Sequence, residues 1–258
     1  MIEPSPLLEK RVLVPRGENQ AKPFSQLVEN YGGIPVEIPL IAFRPIESNQ
    51  CLQACLKDFD TYDWIIFTSN VTVETFFSFL PDRRSLPKIA VIGKKTAEGL
   101  DAKGLTAEFV PTAFVAETFV EEFLPIVHPG LRVLIPKGNL ARDCIAASLR
   151  NAGAIVDEVV IYETFMPEEN RMKLASMLVE KQLDILLFTS PSTVDNFMSV
   201  VHDFELREKL TGCLIGCIGP ITEQKLLSYG LPVHVSPEEY TVKEMIKSTI
   251  AYIEREEL

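Results

Sequence analysis

A chain of 258 residues, 47% of them hydrophobic, exceeds the size at which one core usually stops growing, so two modest cores are expected. Its net charge of −11 repels nucleic acid and acidic membrane surfaces at long range, and no basic stripe with interleaved aromatics offsets it. A small anionic ligand stays open, because a few local cations and amides outweigh a distant, salt-screened field.

Residues 1–10 carry charges and prolines without an apolar run, which predicts neither a secretion signal nor an anchor. No later stretch approaches the ~20 apolar residues of a membrane span, so a cytoplasmic protein is expected. Val12-Leu-Val-Pro-Arg-Gly17 reads as a short buried strand that ends at a cation, Arg16. The apolar runs 64–67, 89–92, 132–135, 185–188 and 214–218 have strand length and no alternation, as parallel strands buried on both faces do. Between them, 72–80, 140–151 and 223–229 show helical periodicity, and Gly104, Gly153 and Gly230 are placed to end helices in the left-handed conformation. The acidic segment 254–257 reads as a solvated helix end. Strands and helices alternate throughout, which predicts an α/β fold with open parallel sheets.

The same unit occurs twice. Val12-Leu-Val-Pro-Arg-Gly17 returns as Val133-Leu-Ile-Pro-Lys-Gly138, an offset of 121 (133 − 12). Phe67-Thr-Ser-Asn-Val-Thr-Val73 returns at the same offset as Phe188-Thr-Ser-Pro-Ser-Thr-Val194. Ile92-Gly-Lys-Lys-Thr96 returns as Ile218-Gly-Pro-Ile-Thr222, at an offset of 126 (218 − 92). The duplication alone puts a domain boundary near residue 130.

In parallel sheets ligands bind beyond the carboxyl ends of the strands, where helix N-termini present free amides and a positive partial charge. The repeated motifs fall on that edge. Thr68-Ser69-Asn70 and Thr189-Ser190-Pro191-Ser192 join strand to helix, with Ser or Asn suited to capping and Pro191 to the first helical position. Gly93 with Thr96, and Gly219-Pro220 with Thr222, make the same junction. These residues either hold a ligand or simply cap helices. Cations gather there too: Arg16, Lys94, Lys95, Lys137 and Arg142, which points to a carboxylate-rich or phosphorylated ligand, with Lys95 equally readable as solvated surface.

Several classes fail. No G-x-G-x-x-G follows a strand, no phosphate-binding loop precedes Gly93-Lys94, and no G-x-S-x-G elbow occurs. Pro15-Arg16-Gly17 stands where a phosphoacceptor domain would have paired acids. The five cysteines (Cys51, Cys55, Cys144, Cys213, Cys217) are scattered and mostly in apolar segments, which predicts small reduced core residues. His128, His202 and His234 lie far apart, and neither a metal nor any other cofactor is expected.

In order and spacing, VLVPRG at 12, YDWIIFTSN at 62, IAVIGKKTAEGL at 89, FVPTAFVAETF at 109, RVLIPKGN at 132, GAIVDEVVIYET at 153, DILLFTSPSTVDNF at 184 and IGPITEQKL at 218 resemble uroporphyrinogen-III synthases, from residue 12 to about 250. The resemblance implies two flavodoxin-like parallel-sheet domains joined by a two-stranded linker. Residues 1–36 and 166–258 would form one discontinuous domain, 45–157 the inserted one, and 37–44 with 158–165 the linker strands. It implies a cofactor-free monomer that closes hydroxymethylbilane, a linear tetrapyrrole, into uroporphyrinogen III, and a transient contact with the preceding pathway enzyme.

The resemblance further implies Tyr162 as a proton donor facing the cleft between the domains, though a tyrosine merely packed on the linker ladder is the other reading. Ser69, Asn70, Lys94, Thr96, Ser190, Ser192, Pro220 and Thr222 match the family's substrate-facing junctions, and Arg16 and Lys137 are expected to bind substrate. The chain departs from common family forms at Asn70-Val71 and at Lys94. A non-catalytic two-domain binder of an anionic small molecule is the competing reading.

Overall fold

The computed structural model describes residues 5–47, 49–80, 85–141 and 143–256. In chain order the elements are β1 (Arg11–Val14), α1 (Glu18–Asn30), β2 (Ile34–Glu37), β3 (Ala42–Pro45), α2 (Gln50–Lys57), β4 (Trp64–Phe67), α3 (Asn70–Phe79), β5 (Lys88–Val91), α4 (Lys94–Asp101) and α5 (Ala116–Phe123). They continue with β6 (Arg132–Gly138), α6 (Cys144–Asn151), β7 (Ile155–Phe165), α7 (Glu168–Val179), β8 (Ile185–Phe188), α8 (Pro191–Asp203), β9 (Leu214–Cys217), α9 (Pro220–Ser228) and α10 (Val242–Glu256). The chain folds into two compact units, Met1–Ala42 with Phe165–Leu258, and Phe43–Thr164.

The first unit carries a sheet of order β2-β1-β8-β9 in which every neighbouring pair is parallel. Its strands are apolar on both faces because helices cover both. Leu13, Leu186, Phe188 and Ile215 pack with Leu174 of α7, Phe197 of α8 and Leu226 of α9. Val12, Val14, Ile185 and Leu187 point the other way, onto Phe24 of α1 and Met245 of α10.

The second unit has the order β3-β7-β6-β4-β5, with β7-β6-β4-β5 parallel. Ile65, Phe67, Val91 and Leu134 face Phe76 of α3 and Leu100 of α4, while Trp64, Ile66, Val133 and Ile135 face Phe119 of α5 and Leu149 of α6.

Strands that correspond in the duplication occupy corresponding places. β7, β6, β4 and β5 stand in the second unit where β2, β1, β8 and β9 stand in the first. Each sheet is therefore assembled from the front of one copy and the back of the other, with a strand order of the flavodoxin type once β3 is set aside. The correspondence extends to the fifth position, where Phe109 bridges Ala90 and Val235 bridges Gly216, both parallel.

At the amino edge the exchanged pairings are locked by one repeated device. The Asp184 carboxylate accepts the Arg11 backbone N–H at 2.8 Å and the Arg11 Nε–H at 2.9 Å, while the Asp184 N–H donates to the Arg11 carbonyl at 3.0 Å. One repeat away, the Asp63 carboxylate accepts the Arg132 N–H at 2.8 Å, and the Asp63 N–H donates to the Arg132 carbonyl at 2.9 Å. The helix ends follow the glycine signal: Gly104, Gly153 and Gly230 all sit at positive φ, at 72°, 95° and 67°.

Three expectations change. The helix read over 140–151 starts only at Cys144, because β6 runs on to Gly138 and Leu140 is 73% exposed. Segment 37–44 does not run as one strand: β2 ends at Glu37 and β3 begins at Ala42, with Pro39 between them lacking the N–H a ladder needs. There the buried Ile38 and Leu40 anchor the chain in the first unit's core. Of the five cysteines, all free, only Cys217 is fully buried; Cys51 and Cys144 lie on exposed faces of their helices.

Burial pushes the Asp184 carboxyl up, but the hydrogen bonds from the Arg11 side chain and amide outweigh it and hold the carboxyl below its ordinary value. The clamp's contribution is therefore complete above the unfolded carboxylate value of ~3.9 and is lost as pH falls through the lower folded value. Urea unfolding midpoints should fall between pH ~5 and pH ~3 in the native protein, and less steeply in Asp184→Asn, which has no carboxylate to protonate.

Candidate active site

The carboxyl edge of each sheet feeds helices whose first turns are built alike. α3 and α8 open on Ser69 and Ser190, whose hydroxyls accept the N–H of Thr72 at 3.2 Å and of Thr193 at 3.3 Å. α4 and α9 open on Gly93 and Gly219, which have no side chain to cap with, so the first-turn amides keep no side-chain partner at that position. At the third helical position all four carry a buried threonine: Thr72, Thr96, Thr193 and Thr222. Sequence reading picked out Thr96 and Thr222 and passed over Thr72 and Thr193, although the Ser-x-x-Thr spacing that marks them is visible in both copies.

In the second unit this edge holds Tyr162. The residue lies on β7 and is 9% exposed, with its ring edge-on to Phe43 at 5.8 Å. Its hydroxyl sits 3.5 Å from the Ser69 Oγ, which is itself 2.8 Å from the Thr72 Oγ1. Gly138 makes this geometry possible, and sequence reading named it only as part of the repeat. A Cβ there would come within 2.6 Å of the Tyr162 Cε2 and Cζ and within 2.8 Å of its hydroxyl. The β6–β7 register shifts between Lys137 and Gly138, bringing Gly138 opposite Tyr162.

The remaining second-unit residues differ in role. Lys137 does not stand free: its ammonium bonds Asp143 and donates to Glu158 at 2.7 Å, and Glu158 also takes Arg150 at 2.8 Å. Burial pulls the Lys137 pKa down, yet the hydrogen bonds to these two carboxylates outweigh it and leave the pKa raised. Lys94 is 75% exposed and lies 3.8 Å from Glu98, one turn along α4. Asn70, exposed on the first turn of α3, leans over Gly99 of α4, where a Cβ would collide with its Oδ1. Arg142 lies outside the described residues.

In the first unit, Arg16 follows β1 and donates from Nε to the Thr189 Oγ1 at 2.9 Å, next to Ser190. Burial pushes its pKa down, and among the described residues no carboxylate pairs with it. Ser192 and Pro220 are exposed on the first turns of α8 and α9. Arg16, Ser190, Ser192, Pro220 and Thr222 thus share one edge, as Ser69, Asn70, Lys94, Thr96 and Tyr162 share the other. Among the described residues no three His, Cys, Asp or Glu side chains cluster so as to hold a metal, and no helix is long and apolar enough to cross a membrane.

Fold and junctions together define an α/β protein of two parallel-sheet units, whose carboxyl edges offer backbone amides, hydroxyls and a phenol instead of a nucleotide cradle. The family model HEM4, described as uroporphyrinogen-III synthase HemD, matches residues 22–247. The uroporphyrinogen-III synthase of Synechococcus elongatus is 32% identical over 253 residues, covering 93% of this chain and 94% of that protein. That of Chlorobaculum parvum is 31% identical over 239 residues, covering 90% and 94%.

Among solved structures, a mutant uroporphyrinogen III synthase from Thermus thermophilus aligns over 95% of this chain and 99% of its own at TM-score 0.63 and 20% identity. The Helicobacter pylori enzyme aligns over 95% and 99% at TM-score 0.55 and 16% identity, and both likenesses speak to the fold. The chain belongs to the uroporphyrinogen-III synthase family and is a lyase of tetrapyrrole biosynthesis.

Gly138→Ala should push the Tyr162 ring off its seat and lower turnover of hydroxymethylbilane on the order of 10- to 100-fold, the usual cost of a group displaced by ~1 Å. The loss should shrink when the same substitution is made in a Tyr162→Phe background, because the two changes act through one hydroxyl.

Proposed function

We propose that the chain converts hydroxymethylbilane to uroporphyrinogen III with Tyr162 as the proton donor and the junction loops as carboxylate receivers. The reaction begins when the hydroxyl of the terminal hydroxymethyl group departs, its carbon staying behind. Tyr162 gives its proton to that oxygen, which leaves as water, while the electron pair of the adjoining pyrrole nitrogen stabilises the cation left behind. The substituted carbon of the last ring then attacks, a spiro intermediate forms and reopens with the ring inverted, and closure returns a proton from the ring carbon to the phenolate. The balance is substrate minus one water.

The observation that carries this reading is the phenol held 3.5 Å from Ser69 at a carboxyl edge, its ring packed into the unit's apolar core. A phenol hydroxyl is a proton and hydrogen-bond donor. Little other chemistry is needed, because pyrrole stabilises its own cation. What the protein has to supply is geometry: the free chain closes without inversion, and only a substrate held in a near-attack arrangement is steered to the substituted carbon.

Ser69, Asn70, Thr96, Ser190, Ser192, Pro220 and Thr222, with the amides of their first helical turns, are proposed to receive the substrate's carboxylates. Lys94 and Arg16 add charge. Arg16 is the better placed cation, being half-buried and, among the described residues, without a carboxylate partner. Lys137, engaged by Asp143 and Glu158, is assigned to holding β6 and β7 in register. The division into a discontinuous domain, an inserted domain and linking strands belongs to the same reading, as does a monomer working in the cytoplasm beside the enzyme that makes its substrate. Sedimentation of the purified protein tests the monomer.

Incubating the protein with hydroxymethylbilane, oxidising, and resolving the type I and type III products tests the function. Enrichment of the inverted isomer is expected; the uninverted isomer alone rejects the reading in favour of a non-catalytic binder. Tyr162→Phe should lower turnover by roughly 100-fold or more, within the range general acids contribute, with the urea midpoint little changed. Arg16→Gln should raise KM more than it lowers kcat.

A further inference from the structure

We propose that Tyr240 and Phe114 are ring platforms on which pyrroles of the substrate stack, one at the carboxyl edge of each unit. The inference rests on the functional reading above and adds contacts that the junction motifs do not contain.

The two residues correspond in the duplication. After β9, the His234 N–H donates to the Ile215 carbonyl at 2.8 Å and the Cys217 N–H to the Val235 carbonyl at 2.9 Å, so the chain runs parallel to β9 and emerges past its carboxyl end. After β5, the Glu108 N–H donates to the Ile89 carbonyl at 2.8 Å and the Val91 N–H to the Phe109 carbonyl at 3.0 Å, the same ladder at an offset of 126 (235 − 109). Each segment passes a buried proline, Pro111 or Pro237, and presents an aromatic ring just before the last helix: Phe114 before α5, Tyr240 before α10. Around the ring the copies share nothing: Thr112-Ala-Phe-Val115 stands against Glu238-Glu-Tyr-Thr241.

Both rings are turned out. Phe114 is 54% exposed and Tyr240 62% exposed. A single exposed aromatic is ordinary, but two at equivalent positions, both on the ligand-facing edge, are a pattern that burial does not explain. Tyr240 is also seated. A Cβ at Gly219 would come within 2.8 Å of its Cδ1 and 3.1 Å of its Cγ, so the ring lies against the turn that opens α9. No described residue bonds its hydroxyl, which leaves the ring as the functional part. A ring face beside uncapped helical amides matches a pyrrole and the carboxylates it carries, the ring meeting the ring and the amides meeting the anion.

Steady-state kinetics on hydroxymethylbilane test the proposal. Tyr240→Ala and Phe114→Ala should each raise KM about 3- to 10-fold, as loss of one aromatic contact does, with kcat changed less than about twofold. Tyr240→Phe should bring KM back to within about twofold of the native protein, because the ring and not the hydroxyl makes the contact. Urea midpoints should not move, since neither ring is buried. The proposal is overturned if both alanine variants keep the native KM, or if kcat alone falls. Should native protein enrich the type III isomer while KM is insensitive to both residues, only the stacking idea fails; should it yield type I alone, both readings fail.

Discussion

Two short parallel pairings join the halves of the duplicated chain, β1 with β8 and β4 with β6, and each is guarded at its amino end by an aspartate that binds an arginine's backbone. Each pairing is only two residues of register deep in the ladder, Val12 to Ile185 and Leu13 to Leu186 in one, Trp64 to Val133 and Ile65 to Leu134 in the other. Strands this short gain little from backbone bonds alone. They are held by burial of both faces and by a charged anchor that sets the register, since a slip by one residue would exchange the two apolar faces and break the Asp–Arg contact. Because these pairings bring β1, β8 and β9 to one edge, and β4, β5 and β6 to another, the loops that follow them line up without further instruction.

That alignment supplies the chemistry. Four helices begin at the carboxyl edges with a serine or glycine at the cap and a buried threonine three residues later, so amides and hydroxyls face the same way in each unit. Serine caps consume an amide, and glycine caps leave theirs without a side-chain partner. The Tyr162 phenol at the second unit's edge is seated by the missing side chain of Gly138. Charge is used sparingly: Lys137 is neutralised in place by Glu158 and Asp143, and Arg16 keeps its charge while bonded to a threonine. A protein of net charge −11 can accept an anion at such an edge because the donors are local and fixed.

Much of the fold was legible because its signals are local. The runs 64–67 and 185–188 are β4 and β8 to the residue, Pro191 takes the first helical position, and the three glycines end helices as their placement suggests. Where the reading slipped, a neighbour in space was responsible. Strand β6 outran its apolar stretch because β7 offers partners as far as Tyr162, which delayed α6 to Cys144. The cysteines looked like core residues from their apolar surroundings in sequence, yet helical phase turns Cys51 and Cys144 to solvent. In the candidate site, caps and cations could be named from motifs, and the Ser-x-x-Thr spacing would have added Thr72 and Thr193; the seat that Gly138 makes for Tyr162 could not be named, since it needs a contact across strands.

The amino-acid sequence by itself determined the alternation of strand and helix, the duplication, and the edge at which polar junctions gather, because each is written in periodicity or in short motifs at a fixed offset. Only the tertiary structure decided that each sheet takes its front from one copy and its back from the other, that Lys137 is bound internally, and that Tyr162 meets Ser69. Pairing between strands separated by 173 residues, as with Arg11 and Asp184, leaves no local trace: either copy could in principle close on itself, and the choice rests on side-chain packing summed over the whole folded chain.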